Sequence, residues 1–184
     1  MSYQAQDGKV GCFLRYVRQG SECRKVTTNE ANSLIEKSYP QYLYHSQQFD
    51  AHFHAVKPIA IIKHHLPELA LQKLILSLPN DELEERLQEL IAILRQGNIN
   101  DKFLGITGSV LLAQQAETSD IDIVAYGRDA FHQLRKVVQQ EVSNGKLSLL
   151  DNDMMRNNFE RRAGELSFEE FAWHENRKFN KAVI

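Results

Sequence analysis

The spacing of hydrophobic residues along the chain changes near Pro67. Before Pro67, β-branched and aromatic residues gather in short runs, which predicts the strands of a small sheet. These runs cover positions 10–18, 41–45 and 51–63. Thr27 and Glu30 form a capping-box pattern, so we expect a helix over 29–37. The first third of the chain is therefore predicted to be a small α+β module.

After Pro67, apolar residues recur at helical spacing in two successive stretches, of which the first ends near Pro79. The second begins at Asp81, where Glu84 completes a capping pattern, and it ends at Gly97, a residue type favoured at helix C-termini. Five apolar residues lie on one face of this second helix and are expected in the core. They are Leu83, Leu87, Leu90, Ile91 and Leu94.

The last part of the chain alternates between apolar strands and helices. Strands are predicted over 103–107 and 121–126, and helices over 110–115 and 129–142. The inward face of the last of these helices is expected to carry Phe131, Leu134, Val138 and Val142. A capping box at Ser167 and Glu170 predicts a further helix near the C-terminus.

These patterns predict an α+β fold. A small α+β module over 1–66 is followed by a helical connection over 67–97, and then by a mixed sheet flanked by helices over 98–184. No internal repeat and no low-complexity segment interrupts this order.

Composition and charge narrow the class of protein. The chain has 184 residues with 22 basic and 24 acidic side chains, so its net charge of −2 argues against a generally basic nucleic-acid binder. It has no apolar run of the roughly 20 residues that a membrane helix needs and no secretory signal pattern. Cys12 and Cys23 are too few for a disulfide framework. We expect a cytoplasmic protein with no membrane partner.

One segment, 104–127, combines features of a phosphate site and a metal site. A predicted strand ends at Gly108 and Ser109, where a helix begins; glycine lets a phosphate approach the backbone, and the serine hydroxyl adds a donor. Asp120 and Asp122 lie one residue apart at the start of the next strand, so both carboxylates are expected on one side. Such oxygen ligands suit Mg²⁺ or Mn²⁺. The pattern predicts a site for a nucleoside triphosphate and a divalent metal.

This segment resembles the signature of the nucleotidyltransferase superfamily, which includes DNA polymerase beta, and looks most like predicted nucleotidyltransferases of undefined substrate. The matching positions are Gly108, Ser109, Ser119, Asp120 and Asp122. The resemblance implies metal-dependent transfer of a nucleoside monophosphate from an NTP to a hydroxyl-type acceptor, with release of pyrophosphate. It implies that the two aspartates hold the metal, that Gly108 and Ser109 bind the phosphates, and that Ser119 either contacts nucleotide or caps the turn.

The sequence departs from the superfamily in one respect, because no third metal carboxylate is recognisable on a later strand. Asp151 and Asp153 are the remaining candidates, and otherwise the chain ends before that residue. The alternative function is therefore a catalytically degenerate relative that binds a nucleotide or a protein partner. A third possibility is an enzyme acting on nucleic-acid ends, which would need a basic surface beside Asp120.

Other residues with potential chemistry have simpler interpretations. His52 and His54 have strand spacing and suit a metal, but no third ligand accompanies them, which favours an ordinary structural role. Nothing near either cysteine marks an activating base. Several basic residues near the C-terminus suit a polyanion, although a solvated helix face is the simpler interpretation. They are Arg161, Arg162, Arg177, Lys178 and Lys181.

Overall fold

The computed structural model describes residues 3–4, 8–20, 22–162 and 164–184. The chain divides into two compact units, Met1–His64 and His65–Ile184. Helices and small antiparallel sheets occur together, which confirms the predicted α+β class. The predicted boundaries at 66 and 97 stay a prediction.

The first unit contains a four-stranded sheet, a hairpin and a helix. Its strands are β1 (Tyr3–Gln4), β2 (Val10–Cys12), β3 (Tyr16–Gln19), β4 (Glu22–Lys25), β5 (Leu43–Ser46) and β6 (Ala51–Val56). The sheet has the order β1-β2-β6-β5 and is antiparallel throughout, while β3 pairs with β4 in the hairpin. The run predicted over 10–18 thus forms two strands. Between these two strands, the Leu14 N–H donates to a side chain, His54 Nδ1, at 3.0 Å.

Helix α1 (Thr28–Ser38) begins with the predicted capping box. Thr27 Oγ1 accepts from the Glu30 N–H at 3.2 Å, and the Glu30 carboxylate accepts from the Thr27 N–H at 2.8 Å. The backbone hydrogen bond from Thr27, helped by one from Arg24, lowers the pKa of Glu30 to about 2. A sequence pattern four residues long therefore defines the start of this helix, because both bonds are local.

The second unit consists of six helices and one strand pair among its described residues. Its helices are α2 (Pro67–Leu76), α3 (Glu82–Gln96), α4 (Gly108–Leu111), α5 (Arg128–Ser143), α6 (Asn152–Glu160) and α7 (Phe168–Asn176). Strand β7 (Leu104–Ile106) pairs with β8 (Ile123–Ala125), and the two predicted capped helices, α3 and α7, begin at Asp81 and Ser167. The buried core includes Leu71, Leu87, Ile91, Leu94, Leu104, Ile106 and Val137. Most of the predicted stripe on α3 lies in this core, with Leu90 partly buried.

The strand pair of the second unit is antiparallel, whereas a mixed sheet was predicted. The single turn of α4 reverses the chain, and hydrogen bonds extend the ladder at both ends. Thr107 N–H donates to Asp122 O at 2.8 Å, and Tyr126 N–H donates to Phe103 O at 2.7 Å. A parallel return needs a longer crossover, usually with a full helix.

Two details of the predicted helices are corrected. Leu134 packs against the core as predicted, but the buried residues of α5 are Val137 and Glu141 and Phe131 is exposed, so the inward face is rotated from the predicted one. Gly97 is the C-cap of α3 as predicted, but its φ is −81° and the left-handed residue is Asn98, with a φ of 61°. An added Cβ on Gly97 would lie 2.5 Å from Val137 Cγ1. Glycine is therefore required there by packing against α5 rather than by backbone conformation.

A tight contact between α2 and β7 supports the strand that leads to the Gly-Ser turn. An added Cβ on Gly105 would lie 2.7 Å from Pro67 Cβ and 3.0 Å from Glu68 N. Because both atoms belong to the rigid first turn of α2, Gly105→Ala is expected to lower the free energy of unfolding by about 1–3 kcal/mol. Urea denaturation measures the change.

Gly164→Ala is the matched control for Gly105→Ala. Gly164 has no atom within 4 Å of an added Cβ and no positive φ, so its replacement is expected to change stability by less than about 0.5 kcal/mol. Equal effects of the two substitutions would contradict the packing argument, since only Gly105 meets the neighbouring helix.

Candidate functional site

The Gly-Ser turn and the Asp-x-Asp sequence meet at one end of the strand pair. Thr107 is the last residue before α4, and Asp122 is the last residue before β8. The Thr107 N–H and hydroxyl both donate to the main-chain oxygen of Asp122, at 2.8 and 3.2 Å. This pairing continues the antiparallel ladder by one residue and fixes the backbone of Asp122 beside the turn.

Gly108 lies directly against the carboxylate of Asp122. Its φ of 66° is left-handed, and an added Cβ would collide with Asp122 Oδ2 and lie 3.3 Å from Asp122 Cγ. Glycine is thus required at this position for two independent reasons, backbone conformation and the space taken by the carboxylate. The two halves of the predicted site, 11 residues or more apart in sequence, are in contact.

Asp120 and Asp122 both precede β8, although the strand was predicted to begin at 121. Ile121 and Ile123 pack against the core, whereas Asp120 and Asp122 are exposed. Among the residues that the structure describes, no group of three or more His, Cys, Asp or Glu side chains is arranged to hold a metal. Mg²⁺ usually binds through one or two carboxylates together with substrate phosphates and waters. Asp120 and Asp122 are thus two exposed carboxylates that no third ligating side chain joins within the described part of the chain.

The two predicted serines have different surroundings. Ser109 is partly buried in α4, and its main-chain oxygen accepts from Leu112 N at 3.1 Å and from Gln114 N at 3.0 Å. Ser119 Oγ accepts from the Ala116 N–H at 2.9 Å, and the Ser119 N–H donates to Ala116 O at 2.9 Å. Ser119 thus closes the turn before Asp120, the structural alternative considered for it. Because α4 has four residues, Ser109 offers a hydroxyl rather than the dipole of a long helix.

Gln115 connects the loop of the aspartates to the start of α3, a link that the sequence did not indicate. Gln115 Nε2 donates to Asp81 Oδ2 at 2.9 Å, while Asp81 Oδ1 accepts from the Glu84 N–H at 2.8 Å. The backbone hydrogen bond from Glu84 and the bond from Gln115 lower the pKa of Asp81. The Asp81 carboxylate therefore both caps α3 and accepts a hydrogen bond from Gln115, which ties the loop before Asp120 to the start of α3.

A second unpredicted contact lies at the other end of β8. The Tyr126 hydroxyl donates to Glu68 Oε2 at 3.0 Å, joining the strand to the first turn of α2. Burial and the neighbouring Glu68 carboxylate raise the pKa of Tyr126. The partners are 58 residues apart in sequence, so no local pattern could have shown the pair.

The two candidates for a third carboxylate lie at the start of α6. Asp151 is the N-cap of this helix, and its Oδ1 accepts from the Met154 N–H at 2.8 Å. Asp153 is exposed in the first turn. Within the described ranges, neither joins Asp120 and Asp122 in a metal-binding group. Asp151 has a structural role that its sequence neighbourhood did not reveal.

The two histidines considered as metal ligands have separate partners in the first unit. His54 is buried, accepts from Leu14 N–H at Nδ1, and lies with Nε2 3.1 Å from Asn32 Oδ1. Burial lowers its pKa. His52 instead packs against His45 across the β5–β6 pair, with ring centroids 4.4 Å apart. Cys12 and Cys23 are both free and partly buried.

The fold and this site define an α+β protein in which a glycine turn and paired aspartates meet on an antiparallel strand pair. No family model matches the chain, and no solved structure matches it. The chain is 30% identical, over 203 aligned positions, to a protein of Methanocaldococcus jannaschii, the uncharacterized protein MJ1086. That alignment covers 100% of this chain and 60% of the relative, so the chain spans about 60% of the relative's length. None of the described helices is both long and apolar enough to span a bilayer.

Proposed function

We propose that this protein is a metal-dependent nucleotidyltransferase that transfers a nucleoside monophosphate from an NTP to a hydroxyl-type acceptor. The observation that carries the proposal is the contact between Gly108 and the Asp122 carboxylate. A carboxylate able to hold a divalent cation lies against a glycine turn that has no side chain of its own, so a cation at Asp122 and a phosphate at the turn would be neighbours.

Each residue of the site has a role in this proposal. Gly108 would let the phosphates approach the backbone of the turn, and the Ser109 hydroxyl would donate to them. Asp120 and Asp122 would hold Mg²⁺ or Mn²⁺, which would supply positive charge for the leaving pyrophosphate. Thr107 holds the backbone of Asp122 through its hydrogen bonds, and Gln115 ties the loop that precedes Asp120 to Asp81.

The transfer makes one bond and breaks one. The acceptor oxygen bonds to the α-phosphorus, the bond from that phosphorus to the bridging oxygen breaks, and pyrophosphate leaves while the acceptor proton passes to solvent. Phosphoryl-type transfer depends mainly on positioning and electrostatics, so few protein groups suffice.

A degenerate relative that binds nucleotide without chemistry is the second candidate. The observation in its favour is that Asp151, the best remaining third carboxylate, serves as the cap of α6. Two carboxylates hold a divalent cation less tightly than three, so such a site would bind metal and nucleotide weakly or carry out no transfer.

Isothermal titration calorimetry with the four NTPs, including ATP, tests the proposal. We expect NTP binding with Mg²⁺ or Mn²⁺ present and little without it, and weak metal binding without NTP. Pyrophosphate release from labelled NTP in the presence of hydroxyl acceptors then separates an enzyme from the binding relative. Metal-independent NTP binding, or none under any condition, would refute both candidates.

A further inference from the structure

Helix α7 ends in a cluster that combines an exposed aromatic ring with basic side chains. Trp173 is 57% exposed, and Arg177 Cζ lies 3.9 Å from the centroid of its ring. Lys178 and Lys181 follow five and eight residues after Trp173, beyond the end of the helix. We call Arg162, Trp173, Arg177, Lys178 and Lys181 the α7 cationic surface.

Three cations of this surface converge on one buried carboxylate. Lys178 forms an ion pair with Glu175 Oε1, Lys181 Nζ lies 2.9 Å from Glu175 Oε2, and Arg162 Nη1 lies 3.6 Å from Oε1. Burial alone would raise the pKa of Glu175, but the hydrogen bonds from the two lysines outweigh it and hold that pKa below its usual range. Three positive charges facing one negative charge leave a local positive excess.

The backbone that carries these cations is held by α5. The Arg135 guanidinium donates to the main-chain oxygens of Lys178 and Arg177, the latter at 3.2 Å. Arginine at helix carbonyls satisfies groups that the helix end leaves unpaired. The positions of Arg177 and Lys178 are thus set before any ligand binds, which lowers the entropic cost of binding.

Three acidic residues of α6 and α7 belong to the first turns of these helices. Glu169 and Glu170 lie in the first turn of α7, where the Glu170 carboxylate accepts from the Ser167 N–H in the capping box, and Asp153 lies in the first turn of α6. Glu160 is different, because it ends α6 two residues before Arg162 and is exposed. The four cations of the α7 cationic surface outnumber Glu160 and the buried Glu175.

We propose that the α7 cationic surface binds a single strand of nucleic acid, with its phosphates at Lys178, Lys181 and Arg177 and a base stacked at Trp173. Proteins that bind single strands combine basic grooves with aromatic stacking, because every base offers a face to an aromatic ring. An acidic polypeptide would use the cations alone and leave the exposed ring unused. The binding stands independently of the proposed nucleotidyl transfer.

Fluorescence anisotropy of the full chain with a labelled RNA of about 12 nucleotides tests this surface, since single-strand sites span roughly 4–16 nucleotides. We expect binding that weakens with salt. Lys178→Gln with Lys181→Gln is expected to reduce the log–log salt slope by about 1.4, from about 0.7 per lost phosphate contact. Trp173→Ala is expected to weaken binding by about tenfold, and Trp173→Phe to restore most of it.

Two further variants separate strand binding from a structural role of the cations. Glu175→Gln removes the competing negative charge and is expected to tighten RNA binding. If the cations have only a structural role, the substitution would change the free energy of unfolding and leave RNA binding unchanged. Lys57→Gln with Lys63→Gln removes the same charge from the first unit and is expected to leave the salt slope unchanged.

Some results would overturn the proposal. They are absence of RNA binding at low salt, equal loss of slope in the two double variants, and competition by polyglutamate as strong as competition by RNA. The last result would assign the surface to an acidic protein partner. Calorimetric Mg²⁺-dependent NTP binding, measured in the same lysine variants, is expected to stay unchanged, so the two proposals can fail separately.

Discussion

Replacement of both Asp120 and Asp122 by asparagine is expected to abolish Mg²⁺-dependent NTP binding. Both side chains are exposed and Asp122 lies against Gly108, and asparagine keeps their size while removing the two negative charges that would hold a hard cation. Each single replacement is expected to weaken metal-dependent binding by about 100-fold, or about 2.8 kcal/mol at 1.4 kcal/mol per tenfold. Calorimetry with ATP and Mg²⁺ measures the loss.

Asp129→Asn is the matched control, since Asp129 is an exposed aspartate in the first turn of α5 and outside the site. It is expected to leave NTP binding unchanged. Asp153→Asn tests the remaining third carboxylate, and a loss as large as that of Asp122→Asn would place Asp153 in the metal site. Unchanged binding in the Asp120 and Asp122 double variant would remove the metal assignment altogether.

Gly108→Ala is expected to remove metal-dependent NTP binding while the protein stays folded. The added methyl group would collide with Asp122 Oδ2, so the carboxylate must move and the space for a phosphate at the turn is filled. The left-handed φ of 66° adds strain of about 1–2 kcal/mol for any residue with a Cβ. Binding is measured by calorimetry and stability by urea denaturation on the same samples.

Gly145→Ala separates the two effects of the Gly108 substitution. Gly145 also has a left-handed φ, of 77°, but no atom lies within 4 Å of an added Cβ. It is expected to lose a similar amount of stability and to keep full NTP binding. If Gly108→Ala binds NTP as well as Gly145→Ala does, the contact between turn and carboxylate has no part in the site.

Local elements of this fold are predictable from sequence because their causes are local. The capping boxes at Thr27 and Ser167 and the Asp81 cap each involve residues within four positions, and each marks a helix start as expected. Helix α6 was missed, since only three apolar residues occur among its nine and its three asparagines favour turns over helix. The inward face of α5 was misplaced because its burial depends on what packs against it.

Contacts between distant parts of the chain could not be predicted from sequence in this way. Antiparallel pairing of β7 with β8, rather than a mixed sheet, depends on where the short α4 redirects the chain. The packing of Gly97 against Val137 and of Gly105 against Pro67 depends on how closely helices approach their neighbours. These contacts join residues 38 to 40 positions apart, and no pattern within either segment encodes the approach distance.

The sequence by itself determined the α+β class, most helix starts, and the four residues Gly108, Ser109, Asp120 and Asp122 as candidates, because residue type and short spacing are sufficient for these. Only the tertiary structure decided that Asp122 lies against Gly108, that Tyr126 bonds to Glu68, and that Arg162 reaches Glu175. The physical reason is that a side chain's role is set by the partners within a few ångströms, and most of those partners come from distant parts of the chain.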